Sequence, residues 1–191
     1  MKKLVFAALA LGLAASFSAY PQSSNAQLQG GKLDRKEAKA LKDLADADLA
    51  EMAAGKIGAE KGQSQDVKRF GQKMQDDHGA NLSELKALAQ SKGVDLPAQP
   101  SKKHQAEAKK LQSASRFDQA YMDHMVKDHK TDVKKLSDAA KSAKDPEVKA
   151  FLEKTRDAVQ GHLQMAQQLD QLVKGGKSAS AGSSSAKKKA R

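Results

Sequence analysis

Three histidines, His78, His129 and His162, lie at positions where an amphipathic helix normally carries a buried apolar residue. His78 follows Met74 by four residues and precedes Leu82 by four, so all three share one helix face. A neutral imidazole is the commonest protein ligand for transition metals, and it titrates near neutral pH. These histidines are therefore the first candidates for chemistry in this chain.

The first two histidines belong to an internal repeat with an offset of 51 residues. The segment FGQKMQDDHGANLSELKALA at 70–89 aligns with YMDHMVKDHKTDVKKLSDAA at 121–140. Any two amphipathic helices share apolar positions, but the Asp-His pair on the same register is more specific. We infer two related helical hairpins in which these two helices occupy equivalent places.

Height along the helices also groups the candidate residues. Glu51, His78, His129 and His162 each lie within about two residues of the midpoint of a predicted helix, or about 3 Å along its axis. Midpoints of antiparallel helices share one level, so we expect these four groups to meet and to bind a metal ion. The alternative is a buried polar network, in which each imidazole is hydrogen-bonded and fixes the helix register.

The residues around these candidate ligands do not decide which metal would bind. Five of the six methionines lie within seven residues of a candidate ligand. Thioether with imidazole suits copper, particularly Cu(I), whereas carboxylate with imidazole suits iron or zinc. Methionine is also an adaptable core filler. His104 and His124 fall outside the apolar stripes, and we expect them at the surface.

Capping and stop signals predict four long helices, with limits near 34–62, 64–93, 115–143 and 145–175. The first is predicted to begin with a capping box at Asp34 and Glu37, the third with a similar pair at Ser115 and Asp118, and the fourth at Asp145. Each would have about 27–30 residues and a length of about 40 Å.

The connections between these helices predict their arrangement. The first and the last are tight, whereas the middle one takes about 20 residues, with prolines at 97 and 100 and a pattern that allows a short helix at 102–112. Two tight hairpins joined by a long crossover are typical of ferritin-like bundles. The predicted fold is therefore all-α, a ferritin-like antiparallel four-helix bundle over residues 34–174.

Composition agrees with helices and narrows the chemistry. Only 4% of the residues are aromatic and tryptophan is absent, which is unusual for a sheet or barrel core. The chain has no cysteine, which excludes disulfides, thiolate metal sites and cysteine catalysis. It also lacks a Gly-x-Ser-x-Gly elbow, a His-Glu-x-x-His motif and a phosphate-binding glycine loop. We therefore do not predict an enzyme.

The first 26 residues have the three parts of a secretory signal peptide. Lys2 and Lys3 precede an apolar run at 4–15, and Ser24-Asn25-Ala26 provides a small-x-small cleavage site. The apolar run of about 12 residues is shorter than the roughly 20 that cross a membrane, although an uncleaved anchor is the alternative. We expect export to the periplasm or outer membrane, with no transmembrane span in the mature chain.

The net charge of +11 arises mainly at the C-terminus. From Lys174 to Arg191 the chain carries six basic residues and no acid, among glycine, serine and alanine. Such a segment is predicted to be a disordered basic tail, over 175–191. It could bind an anionic envelope surface such as lipid or lipopolysaccharide, or it could be only a solvated extension. Export makes nucleic acid an unexpected partner.

Three segments resemble a bacterial family known as domain of unknown function 4142: MQDDHGANLSEL at 74–85, FDQAYMDHMVKDH at 117–129 and VQGHLQMAQQL at 159–169. The resemblance covers about residues 38–172, and it implies a ferritin-like fold, an exported location and no established activity. Di-iron ferritins carry Glu-x-x-His on two helices, but Gln75 and Val126 stand three residues before the first two histidines. Asp77 and Asp128 stand one residue before them and could only support the histidines, so no ferroxidase or oxygenase is predicted.

Two functions follow from these observations. The first is an envelope protein that binds copper, iron or zinc at a central site of histidines and Glu51. The second is a non-enzymatic structural or stress-related envelope protein that interacts with anionic surfaces through its basic tail.

Overall fold

A computed structural model describes residues 33–176 of the chain, and within this range it contains five α-helices and no strand. The helices are α1 (Arg35–Lys61), α2 (Gln65–Ser91), α3 (Lys102–Gln112), α4 (Phe117–Ser142) and α5 (Pro146–Lys174). The predicted all-α class is therefore confirmed. No helix in this part of the chain is long and apolar enough to cross a membrane. The predicted signal peptide and nearly all of the predicted tail lie outside the described residues.

The four long helices form two hairpins, α1 with α2 and α4 with α5, and each hairpin contacts the other. The start of α1 lies at the α4–α5 turn, and the start of α4 lies at the α1–α2 turn. Consequently α1 and α5 run in one direction, while α2 and α4 run in the other. The crossover must therefore return along the molecule, and α3 forms within it against α1 and α4.

Glu37 joins the start of α1 to the turn between α4 and α5. The predicted capping box is confirmed, because the Asp34 carboxylate accepts from the Glu37 amide and the Glu37 carboxylate accepts from the Asp34 amide. The second carboxylate oxygen of Glu37 accepts from the amides of Lys144 and Asp145, both at 2.7 Å. One buried carboxylate thus satisfies three backbone amides and fixes the height of α1 against the second hairpin.

The predicted capping pair at the start of α4 is wrong. The N-cap residue is Arg116, and no side chain caps this helix. Asp118 instead accepts from the backbone amides of Gln63 and Ser64, at 2.7 and 2.8 Å, in the turn between α1 and α2. Sequence patterns report capping within one helix, whereas this carboxylate meets two unpaired amides of a neighbouring turn.

The apolar core is divided into two clusters. Each long helix contributes to both, and the level of the three histidines lies between them. One cluster lies near the α4–α5 turn: Leu41, Leu44, Ala45, Leu82, Leu85, Ala89, Leu136, Ala140, Val148, Leu152 and Val159. The other lies near the α1–α2 turn: Ala54, Val67, Phe70, Met74, Leu111, Phe117, Tyr121, Met122, Met125 and Ala166.

Glycines allow the backbones of α1 and α2 to come into direct contact beside the second apolar cluster. A Cβ atom on Gly71 would lie 2.4 Å from the Ala59 nitrogen and 2.7 Å from the Gly55 oxygen. These are backbone atoms, which cannot rotate away. The close approach therefore requires glycine at position 71, for lack of space and not for backbone conformation.

We expect Gly71→Ala to lower the free energy of unfolding by about 2 kcal/mol or more, because the two helices must separate to admit the methyl group. The matched control is Gly161→Ala in α5, where an added Cβ meets nothing within 4 Å. This variant should be neutral or up to about 1 kcal/mol more stable, since alanine has the higher helix propensity. Urea unfolding of both variants measures the difference, and equal effects would contradict the close approach.

Candidate metal centre

The three histidines meet at the centre of the molecule. One ring nitrogen from each of His78, His129 and His162 lies within 4.8 Å of the others, and the ring centroids are 5.3–5.7 Å apart. Their relative exposures are 6%, 1% and 5%, so water hardly reaches them. Helix periodicity places each ring on the buried face of its helix, and the two hairpin turns hold the helices at matching heights.

Each imidazole uses one of its two nitrogens for a hydrogen bond to an oxygen atom outside the three rings. The Nδ1 atom of His78 bonds to Asp48 Oδ1 at 2.8 Å, and Nε2 of His162 bonds to Asp77 Oδ2 at 2.7 Å. The Nδ1 atom of His129 bonds to the backbone oxygen of Met125 at 3.0 Å. Carboxylate and carbonyl oxygens only accept, so the imidazole donates in all three bonds.

The remaining nitrogens, His78 Nε2, His129 Nε2 and His162 Nδ1, are buried and have no hydrogen-bond partner within residues 33–176. In a neutral imidazole whose other nitrogen carries the proton, such a nitrogen presents a lone pair. Metal-binding histidines are typically held in this way, with the second nitrogen bonded to a carboxylate or carbonyl. Three lone pairs without a donor fit the requirements of a metal cation.

The spacing of the nitrogens is also close to that of a metal site. Zinc–nitrogen bonds of about 2.0–2.1 Å place tetrahedral ligands about 3.3 Å apart. One nitrogen from each ring lies within 4.8 Å of the other two, which exceeds that spacing by at most about 1.5 Å.

Asp48 is the residue that the sequence analysis missed. It is fully buried, and both its oxygens are used: Oδ1 accepts from His78, and Oδ2 accepts from Asn81 Nδ2 at 2.8 Å. Asn81 in turn accepts from the hydroxyl of Thr155 at 2.9 Å. An aspartate on the apolar stripe of the first predicted helix, four residues after Leu44, was the available signal.

Asp77 supports His162 from a different helix, although it directly precedes His78 in sequence. Burial raises the pKa of Asp77, but its hydrogen bonds from Lys73 and His162 outweigh this effect and lower that pKa overall. The equivalent residue in the repeat, Asp128, lies 3.4 Å from His124 and outside the cluster. The repeat therefore preserves the position of the histidine but not the function of its neighbour.

Glu51 reaches the histidine level but stands apart from the three-nitrogen group. Its Oε1 atom is 3.7 Å from Nδ1 of His129, on the side where that ring bonds to Met125. Its Oε2 atom is buried with no hydrogen-bond partner in the described range. Burial raises the pKa of Glu51 to about 8, so the carboxyl is protonated at neutral pH unless a positive charge comes close.

The electrostatics differ among the three rings. Burial, together with repulsion from His78 and His162, lowers the pKa of His129 to about 3. Burial also lowers the pKa of His162 despite its bond to Asp77. Burial opposes protonation of His78 too, but the hydrogen bond to the Asp48 carboxylate outweighs it and raises that pKa. A positive charge at this level therefore resides first on His78.

The remaining histidines and the methionines lie outside this group. His104 and His124 are half-buried and contact Asp46 and Asp128, at 3.1 and 3.4 Å. Met74, Met122 and Met125 are fully buried within the second apolar cluster. Their packing agrees with the filler role that the sequence analysis kept as an alternative.

A solved structure resembles this chain in fold. The crystal structure of a DUF305 fragment from Deinococcus radiodurans superimposes with a TM-score of 0.64, covering 74% of this chain and all of that one, at 14% sequence identity. At this identity the similarity concerns the fold alone. No curated protein matches the chain.

A family model described as "Domain of unknown function (DUF4142)" matches residues 22–169. This range includes all four long helices except the end of α5, and it contains the three histidines, Asp48 and Glu51. The resemblance that the three segments suggested is thereby confirmed. The chain belongs to the DUF4142 family.

Proposed function

We propose that this protein binds one transition metal ion through His78, His129 and His162. The observation that carries the proposal is the set of three buried ring nitrogens without partners, each on a ring whose other nitrogen is hydrogen-bonded. A purely structural polar network would use both nitrogens of each ring, since an unpaired buried acceptor costs about 1–3 kcal/mol. Copper, iron and zinc all accept imidazole ligands.

Glu51 would supply the negative charge that the metal requires. A cation near the histidines lowers the pKa of this carboxyl and releases its proton as the metal binds. Rotation of the side chain would then allow Glu51 to act as a fourth ligand, as the sequence analysis expects. The bridging carboxylates of a di-iron site are absent from this set, so we propose metal binding without an oxidase activity.

We also propose that the helices have the ferritin-like arrangement. Two hairpins related by a long crossover, with α1 and α5 in one direction and α2 and α4 in the other, support this assignment. The ligands would then lie between facing helices, where such bundles hold their metal sites.

The location that we propose is the cell envelope, with residues 1–26 acting as a signal peptide and the mature protein in the periplasm or at the outer membrane. The lysines of 175–191 would attach it to anionic surfaces. This attachment is also the basis of the alternative, a structural or stress-related envelope protein whose histidines only maintain the fold. The two candidates differ in whether the histidine cluster binds metal.

Metal analysis separates the two candidates. We expect the purified protein to retain about one equivalent of metal. Added metal should raise the melting temperature, because a free metal concentration of 100 times the Kd adds about 2.7 kcal/mol to the free energy of unfolding. The double variant His78→Ala, His129→Ala should lose both effects. The control, His104→Ala with His124→Ala, should keep both. Equal and negligible metal in wild type and double variant would contradict the proposal.

The metal-free protein should become less stable in acid because of His129. The unfolded histidine titrates near pH 6.5 and the folded one near 3, so the unfolded chain binds the extra proton between these values. Stability from this residue is complete above about pH 6.5 and falls by up to about 1.4 kcal/mol per pH unit towards pH 3. His78, whose pKa is raised, acts in the opposite direction.

The test compares urea unfolding of the metal-free wild type and His129→Gln between pH 7 and pH 4. Because His78 and Glu51 are present in both, the difference between the two curves isolates His129. We expect the wild type to lose stability more steeply as the pH falls. Parallel curves would show that His129 is not held neutral.

The proposed attachment depends on the tail. Deleting 175–191 should weaken binding to anionic phospholipid vesicles in low salt, because the five basic residues of this segment are lost. The melting temperature should not change, since α5 ends at Lys174. Cosedimentation with anionic and neutral vesicles measures the effect. If vesicle binding does not change, residues 175–191 are not responsible for attachment to anionic surfaces.

A further inference from the structure

A cleft of about 510 Å³ lies between α1 and α4. Its walls are formed by residues of α1 between 40 and 48 and residues of α4 between 132 and 139. Leu152 and Val159 of α5 line it more deeply, and the beginning of α3 also borders it. The cleft therefore borders the first apolar cluster, four of whose members (Leu44, Leu136, Leu152 and Val159) line it.

The cleft reaches the histidine level from the side of His78. His78 and Asp48 line it, whereas His129 and His162 do not. His78 is also more than nine-tenths buried, and its Nε2 atom has no partner in the described chain. Among the three imidazoles, His78 is therefore the one that borders the cleft while keeping a ring nitrogen without a partner.

The lining of the cleft carries more acidic than basic groups. Five aspartates line it against two lysines: Asp43, Asp46, Asp48, Asp132 and Asp138 against Lys103 and Lys135. The Asp132 side chain is only 20% exposed, and it lies one helical turn beyond His129 in α4. Asp43, Asp132 and Asp138 are each paired with a lysine of the same helix. Carboxylates between low-dielectric walls nevertheless concentrate cations and repel anions.

We propose that the α1–α4 cleft is the entrance through which a metal cation reaches the histidine cluster, and that Asp132 attracts the cation inward. This inference rests on the proposed metal-binding function. A cation entering here meets His78 before the other two imidazoles. On another side of the cluster, the Asp77 carboxylate is already bonded to both His162 and Lys73.

The first experiment narrows the cleft. Ala47→Phe places a large side chain on the cleft wall. The matched control is Ala150→Phe, which places the same side chain on an exposed position of α5 that does not line the cleft. Stopped-flow absorption follows Co²⁺ binding and its release to a chelator. We expect Ala47→Phe to slow association and dissociation by the same factor, about tenfold, because passage then requires a conformational opening. The equilibrium Kd should not change, and the control should match wild type.

The second experiment removes one charge. Asp132→Asn should slow Co²⁺ association about fivefold in low salt, and the difference should shrink as salt is added. Asp123→Asn is the matched control, because it removes the same charge from the same helix at an exposed position outside the cleft. If Ala47→Phe does not fold, as judged by its helical circular dichroism, Ala139→Leu narrows the opposite wall.

A third readout needs no metal. Diethyl pyrocarbonate acylates only neutral imidazoles, so the metal-free protein is treated at alkaline pH, where His78 is deprotonated like the other two rings, and access alone decides the rate. Peptide mass mapping then gives the rate at each histidine. We expect His78 to react before His129 and His162, and Ala47→Phe to slow only His78 among these three.

The results separate this inference from the metal proposal. Metal binding with unchanged rates in Ala47→Phe and Asp132→Asn would overturn the entrance and leave the proposed function intact. If the wild type binds no metal, the proposed function fails, and acylation decides whether the cleft gives access to His78. Equal acylation of His78 in wild type and Ala47→Phe would overturn the entrance by itself.

Discussion

Three imidazoles buried at one level of an apolar core impose the constraint on which the rest of this structure depends. A buried polar group requires a partner, and each ring satisfies one nitrogen through a carboxylate or carbonyl of its surroundings. This requirement explains a fully buried aspartate, Asp48, and the chain of hydrogen bonds that continues through Asn81 to Thr155. It also explains why the apolar core is divided in two, since no cluster of leucines can continue through the polar level.

The same level exists only if four helices keep their relative heights. Two carboxylates fix these heights. Glu37, near the start of α1, accepts hydrogen bonds from the α4–α5 turn, and Asp118, near the start of α4, accepts hydrogen bonds from the α1–α2 turn. The close backbone contact at Gly71 fixes α1 against α2. A slip of one helical turn is about 5.4 Å, which exceeds the whole separation between the ring nitrogens. Precise helix ends are therefore a condition for the central site.

The electrostatic asymmetry of the site has a structural origin. Asp48 places a fully buried carboxylate in hydrogen-bond contact with His78, whereas His129 hydrogen-bonds to a backbone oxygen. The pKa of His78 is therefore raised, whereas the pKa of His129 is lowered. Because His78 also borders the cleft, the charge-tolerant ring lies on the side that is open to ions.

Much of this architecture follows from the sequence, because helix periodicity and capping are local properties. The helix limits, the capping box at Asp34 and the placing of the three histidines on the buried faces of their helices all depend on residues a few positions apart. The start of α4 was predicted wrongly because Asp118 serves another turn. Asp48 was missed, and Glu51 stands apart from the nitrogens, because helix rotation decides which polar group faces which ring.

The sequence by itself therefore determined the helices and the candidate ligands. Only the tertiary structure decided which nitrogen of each ring is bonded, which carboxylate supports it and where the cleft opens, because these depend on contacts between helices that no local pattern records.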